Sequence, residues 1–240
     1  MELLEGGDIF SLMKSVFEDR RHNIIHPLII YHIAHQVASG MAELHRRDIV
    51  HRDLKADNIL LTEKITPEMN SALWDLSCYG TVTGGNSAHL EQLYDILFDP
   101  AHQRLAVLID FGLSRDKSKE LRDTTRTVMG WNEAYQAPEV VYANRLTRMA
   151  DIFSFGVFLY TFCTLHCPKH PADIKPMQHP YNALWPLVQQ CLASNPAHRP
   201  AQGAILQQLL KLKWIEVERL SKRFNDQKPQ GHYVRRMNPW

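Results

Sequence analysis

The stretch at residues 49–61 constrains this chain more than any other. It reads Ile-Val-His-Arg-Asp-Leu-Lys-Ala-Asp-Asn-Ile-Leu-Leu. Apolar arms flank one His, two basic residues, two Asp and one Asn. Arms of this kind belong in a core, so the polar middle is a loop held rigidly between two buried elements. A second such point is Val107-Leu108-Ile109-Asp110-Phe111-Gly112. There an apolar run reads as a buried strand, delivers one carboxylate and turns at a glycine. Asp53, Asn58 and Asp110 offer hard oxygen ligands and a base, a set suited to Mg2+ and phosphate chemistry.

Composition narrows the class. A formal net charge of +1 over 240 residues gives no reason to expect nucleic acid or a membrane surface as partner. No run of 18 apolar residues occurs, so no spanning helix is expected. Residues 1–7, Met-Glu-Leu-Leu-Glu-Gly-Gly, are too acidic for a signal peptide. Four cysteines make no disulfide framework, which points to a reducing, cytoplasmic setting.

Periodicity supplies the helices. Asp8 suits the N-cap of a helix over residues 9–17. Ile29, Ile33, Val37, Met41 and Leu44 recur every three or four residues, predicting a helix over 27–47 with one buried face. His32, His35 and His45 read as partly exposed positions on it. Residues 150–160 are almost wholly apolar and predict a helix buried on all sides. Cys163, His166, Cys167 and His170 lack the spacing of a zinc finger and are read as structural. Residues 183–191 are amphipathic, and 202–220 predict the last helix of the domain. Residues 221–240 place Lys222, Arg223, Lys228, Arg235 and Arg236 among Pro and Gly and predict a flexible basic tail.

Residues 51–58 match the pattern H-R-D-L-x-x-x-N, and residues 110–112 match D-F-G. Ala137-Pro138-Glu139 and Asn195-Pro196-Ala197-His198-Arg199-Pro200 follow in order. The chain therefore resembles the eukaryotic-type protein kinases of serine/threonine type. The fold this implies is mainly α, within an α+β family: a helical C-terminal lobe with short β-hairpins, over residues 1–220. The activity it implies is transfer of the ATP γ-phosphoryl group to a Ser or Thr hydroxyl of a protein substrate, with Mg2+. Asp53 would be the base, and Lys55 would steady the transferred group. Asn58 and Asp110 would hold the metal. Residues 1–8 resemble the hinge between lobes, with Glu2 and Leu4 offering backbone groups to adenine and Asp8 near the ribose. Leu4, Leu60 and Ile109 would floor the nucleotide cleft. Residues 113–136 would be the activation segment, where a phosphate on Thr124, Thr125 or Thr127 could pair with Arg52. Asp151 would cap the catalytic-loop backbone, and Arg199 would pair with Glu139.

Three departures qualify the resemblance. Neither G-x-G-x-x-G nor V-A-I-K occurs, so the domain reads as truncated at the hinge, with no small lobe within these residues. Three readings follow: a kinase incomplete as given, a catalytically impaired pseudokinase acting as a regulatory or protein-binding module, or a small lobe supplied in trans. Next, Trp131-Asn132 stands where the family's Gly-Thr pair would be, with Gly130 one residue early, which leaves substrate class open. Finally, Asn58 and Asp110 are 52 positions apart, so residues 62–104 form an insertion far longer than a hairpin turn. Leu90 to Phe98 has helical spacing of apolar residues and could dock on the lobe. The stretch reads as a surface insertion that a loop tolerates, or that an unspliced intron would leave, with a partner-protein site as the second reading.

Overall fold

The computed structural model describes residues 4–19, 21–82, 86–98, 104–110, 115–116, 133–143 and 145–225. Helices carry the core. Helix α1 (Ile9–Phe17) starts where Asp8 accepts the Ser11 N–H at 2.6 Å, an ordinary N-cap. Helix α2 (Pro27–Arg46) places Pro at its first turn, where a missing N–H costs nothing. Most of its predicted stripe is buried: Ile29, Ile33 and Met41 have no exposed surface, whereas Leu44, at its end, is half-buried. After the short helix α5 (Pro138–Ala143), helix α6 (Arg148–Thr164) is buried from Ala150 through Cys163, as a sequence without a polar face requires. Phe155, Phe158 and Phe162 stack along it, with ring centroids 6.1 and 5.5 Å apart. Helix α7 (Trp185–Cys191) crosses α6 at Gly156, where an added Cβ would stand 2.7 Å from the Cys191 Cβ.

Two small antiparallel ladders hold the polar loops. Strand β1 (Ile49–Val50) pairs with β4 (Arg115–Asp116), and β2 (Ile59–Leu61) pairs with β3 (Ala106–Leu108). Ile59 and Leu61 point into the core, and Leu60 lies on the opposite face beside its cross-strand partner Val107. Residues 6–8 run along β2: Gly6 N–H donates to the Leu61 carbonyl at 3.1 Å, and Leu61 N–H donates to Gly7 at 2.8 Å. A Cβ at Gly6 would meet the Glu63 carbonyl at 2.4 Å, and Gly7 adopts φ +74°, so both positions require glycine.

The insertion is not the surface appendage that loop length suggested. It forms helices α3 (Pro67–Tyr79) and α4 (Asn86–Phe98), and Leu73, Leu76 and Leu93 have no exposed surface. They belong to the same hydrophobic cluster as Phe158 and Leu209. Helix α3 was not expected. Its inward face includes Asn70, Ser71 and Ser77, which break the apolar rhythm. Each has a partner. Asn70 accepts the His26 N–H at 2.8 Å and donates to the Ile24 carbonyl at 3.0 Å. The Ser71 hydroxyl donates to Asp19 at 2.8 Å, and the Ser77 hydroxyl lies 2.7 Å from His26 Nε2.

The final helix, α8 (Gln202–Asn225), closes over α2 and α3. Arg219 donates to the Ser77 hydroxyl at 3.1 Å, and Arg223 donates to the Ser77 carbonyl. The helix runs past residue 220, so the first residues of the expected tail are helical; residues 226–240 lie outside the described residues. The histidines on α2 also differ from expectation. His32 and His45 are buried, and His35 is half-buried. No helix among the described residues is long and apolar enough to cross a membrane.

Candidate active site

The polar loop at residues 51–58 is built around one buried carboxylate. Asp151, at the start of α6, is 1% exposed. Its Oδ1 accepts the Arg52 N–H at 2.9 Å, and its Oδ2 accepts the His51 N–H at 2.8 Å. The same Oδ2 lies 2.7 Å from His45 Nε2. This capping role was expected of Asp151; the His45 contact was not. A histidine on an amphipathic helix gives no sign that it faces inward, and its partner is 106 residues away. The capped backbone at Arg52 adopts φ +76°, a left-handed conformation that costs a non-glycine residue about 1–2 kcal/mol. Two charge-assisted hydrogen bonds offset that strain.

Within the loop, Asp53, Lys55 and Asn58 converge. Lys55 Nζ is 2.9 Å from Asp53 Oδ2. Asn58 Nδ2 donates to the same oxygen and to the Asp53 carbonyl, each at 2.8 Å. Both amide hydrogens of Asn58 are thereby used, which leaves its Oδ1 as a ligand. A short 3-10 turn over Ala56–Asn58 buries Ala56 and Asn58 and leaves Asp53 and Lys55 half-buried at the edge.

Asp110 arrives from the other side. It follows β3 and is exposed, with φ +62°, a conformation that Asp tolerates better than most residues. The preceding peptide is tied at both ends. Ile109 N–H donates to the Asn58 carbonyl at 3.0 Å, and the Ile109 carbonyl accepts from His51 Nε2 at 3.1 Å. His51 Nδ1 accepts the Asp53 N–H at 3.3 Å, so the ring carries its proton on Nε2. His51 thus couples the loop that bears Asp53 to the strand that bears Asp110. Sequence reading gave it no role.

Leu60 and Ile109 are half-buried on the open side of the β2–β3 ladder, and Asp8 bridges directly to Leu60. Leu4 is half-buried. Glu2, Thr124, Thr125, Thr127, Trp131 and Asn132 lie outside the described residues, whereas Arg52 is described and half-buried. Glu139 and Arg199 pair as expected: the guanidinium donates to both carboxylate oxygens, at 2.6 and 2.7 Å, and to the Met149 carbonyl at 2.8 Å.

The donor set fits Mg2+ carrying a phosphate. Asn58 Oδ1 and the Asp110 carboxylate are hard oxygens from facing elements. Among the described residues no three His, Cys, Asp or Glu side chains form a metal cage. Magnesium with a nucleotide needs none, because phosphates and waters complete its octahedron.

Comparison with known proteins agrees with this arrangement. The family described as protein tyrosine and serine/threonine kinase matches residues 1–209. Human mitogen-activated protein kinase kinase kinase 11 is 28% identical over 200 residues, covering 76% of this chain and 20% of that protein. The Dictyostelium discoideum dual specificity protein kinase zakA is 25% identical over 228 residues, covering 88% of this chain and 25% of that protein. The seven transmembrane domain-containing tyrosine-protein kinase 1 of the same organism is 26% identical over 225 residues, covering 85% of this chain and 26% of that protein. The chain spans about a fifth to a quarter of the length of these relatives. The match takes in the Asp53 loop, the Asp110 strand and Glu139–Arg199, and on that ground the chain belongs to the protein tyrosine and serine/threonine kinase family.

Proposed function

We propose that this lobe carries the base and metal side of a phosphoryl-transfer site. It would move the γ-phosphoryl group of ATP to a Ser or Thr hydroxyl of a protein. The observation that carries the reading is the convergence of Lys55 Nζ and Asn58 Nδ2 on Asp53 Oδ2, at 2.9 and 2.8 Å. Asp53 accepts the proton of the attacking hydroxyl. Lys55 sets a positive charge beside that carboxylate, where negative charge gathers as the phosphoryl group transfers. Asn58 and Asp110 would hold Mg2+, which when bound neutralises phosphate charge. Leu4, Leu60 and Ile109 would floor the nucleotide cleft, and residues 4–8, of which 6–8 run along β2, would be the hinge that receives adenine. Lys55 supports Ser/Thr specificity.

A test is transfer from labelled ATP with Mg2+ to casein and myelin basic protein. The 240-residue chain is assayed alone and together with any coding sequence that precedes Met1. Asp53→Asn is expected to lose about 10²–10⁴-fold in rate, the usual contribution of a positioned base. Product analysis should find phosphoserine or phosphothreonine; phosphotyrosine alone would overturn the Ser/Thr assignment. A second reading, a regulatory pseudokinase that binds protein, is favoured by Trp131-Asn132 standing where a substrate-positioning hydroxyl would be. Mg-ATP raising the melting temperature in both assayed forms without any transfer would favour that reading.

A further inference from the structure

We infer that Gln36 is a positioning residue for Asp110, and that the insertion sets it by packing Phe98 against His32. This rests on the phosphoryl-transfer reading above for its functional meaning, but the contacts stand by themselves.

Strand β3 has two edges. One pairs with β2. On the other, the Ala106 N–H donates to Gln36 Oε1 at 2.8 Å, across 70 residues of sequence. That bond decides which end of the Gln36 amide is oxygen. The other end, Nε2, lies 2.9 Å from His32 Nε2 and must donate to it. His32 accepts there only as a neutral ring with its proton on Nδ1. Burial agrees: His32 is 7% exposed, and desolvation pulls its pKa down to about 3. Its Nδ1 has no hydrogen-bond partner among the described residues. The ring is held by Gln36 and by the edge contact with Phe98, at 6.5 Å between centroids and 71° between planes. Phe98 ends α4 and carries the Lys213 ammonium over its face at 5.2 Å. A continuous line of contacts thus runs from α8 and the insertion through His32 and Gln36 to the first residue of β3.

The last residue of that line is four positions before Asp110. The far end of the segment is already pinned, since the Ile109 N–H and carbonyl are both bonded. Gln36 pins the near end. With both ends fixed the strand cannot slide along β2, and the Asp110 carboxylate keeps one height relative to Asn58. Magnesium demands near-ideal octahedral geometry, so displacement of one ligand weakens the site more than it weakens nucleotide contacts elsewhere.

The test compares the full wild-type chain with Gln36→Leu, Gln36→Glu and Phe98→Ala. The first readout is hydrogen exchange at the amides of residues 106–110, which needs no activity. Gln36→Leu should speed exchange at Ala106 by about fivefold to tenfold, the loss of one ordinary hydrogen bond, and Phe98→Ala should speed it less. Gln36→Glu keeps an acceptor for Ala106 and lets His32 donate from Nε2, so protection should return. The second readout is the Mg2+ concentration for half-maximal transfer. It should rise several-fold in Gln36→Leu with KM for the protein substrate unchanged. Unchanged Ala106 exchange in Gln36→Leu overturns the proposal, as does faster exchange with an unaltered Mg2+ requirement in active protein. If the wild-type chain transfers no phosphoryl group, the functional reading fails alone, and exchange by itself decides whether the relay exists.

Discussion

Replacing Leu93 by alanine asks directly whether the insertion belongs to the core. Leu93 has no exposed surface and packs in the cluster that holds Phe158 and Leu209. Truncating a fully buried leucine removes its transfer energy and leaves a cavity, together about 3–4 kcal/mol. In a domain of this size each kcal/mol moves Tm by roughly 2–4 °C, so the shift should be about 6–16 °C. Gln92→Ala, on the exposed neighbouring position, should stay within about 0.5 kcal/mol. The assay is thermal and urea unfolding, followed by circular dichroism and by tryptophan fluorescence. Trp74 reports from α3, while Trp185 and Trp214 report from α7 and α8. One coincident, displaced transition is expected. A shift below about 0.5 kcal/mol would refute the reasoning. So would an early separate transition seen by Trp74 alone, because either result means that α3 and α4 fold apart from the lobe.

Three further outcomes follow from the packing. Arg199→Met should cost about 3–5 kcal/mol in urea unfolding by leaving the Glu139 carboxylate without its ion-pair partner, and adding Glu139→Leu should restore much of it; no recovery in the double variant would show that the loss came from packing. Burial pulls the pKa of His32 to about 3 and that of His26 well below its ordinary value, although Glu216 lies 3.5 Å from His26 and pulls the other way. The unfolded chain takes up protons below about pH 6.5 that these rings refuse, so stability is full above that pH and falls toward pH 3, by about 2 kcal/mol at pH 5 from His32 alone; equal urea midpoints at pH 7 and pH 5 would contradict this. Burial also pulls the Lys213 ammonium down to about 8, partly compensated by the Phe98 ring beneath it. The fold therefore penalises this charge below pH 8 and is relieved as pH rises to about 10.4, so Lys213→Met should stabilise by about 1 kcal/mol at pH 7 and by little at pH 10.

What the sequence made legible follows from how local the signal was. Helix α6 is readable because every residue from Ile152 to Phe158 except Ser154 and Gly156 is apolar, and a helix with no polar face must be buried all round. The meeting of Asp53, Lys55 and Asn58 is readable because six residues hold all three. Helix α3 was hidden by its inward polar side chains, which are satisfied only by groups on the α1–α2 connection and on α8. His45, His51 and Gln36 were missed for a related reason. Each makes its decisive bond across 58 to 106 residues, to a carboxylate or a backbone group that no local pattern announces.

The anchoring of Ser77 by Arg219 and Arg223 also bears on how the chain is made. The bonding groups lie 142 and 146 residues apart. At roughly 5–20 residues per second, a ribosome finishes α3 some seven to thirty seconds before α8 can reach it. During that interval the His26–Ser77 face and the α2 surface that α8 later covers are open to chaperones and to other nascent chains. Codons that slow elongation between α4 and α8 should therefore lower soluble yield without altering the finished protein.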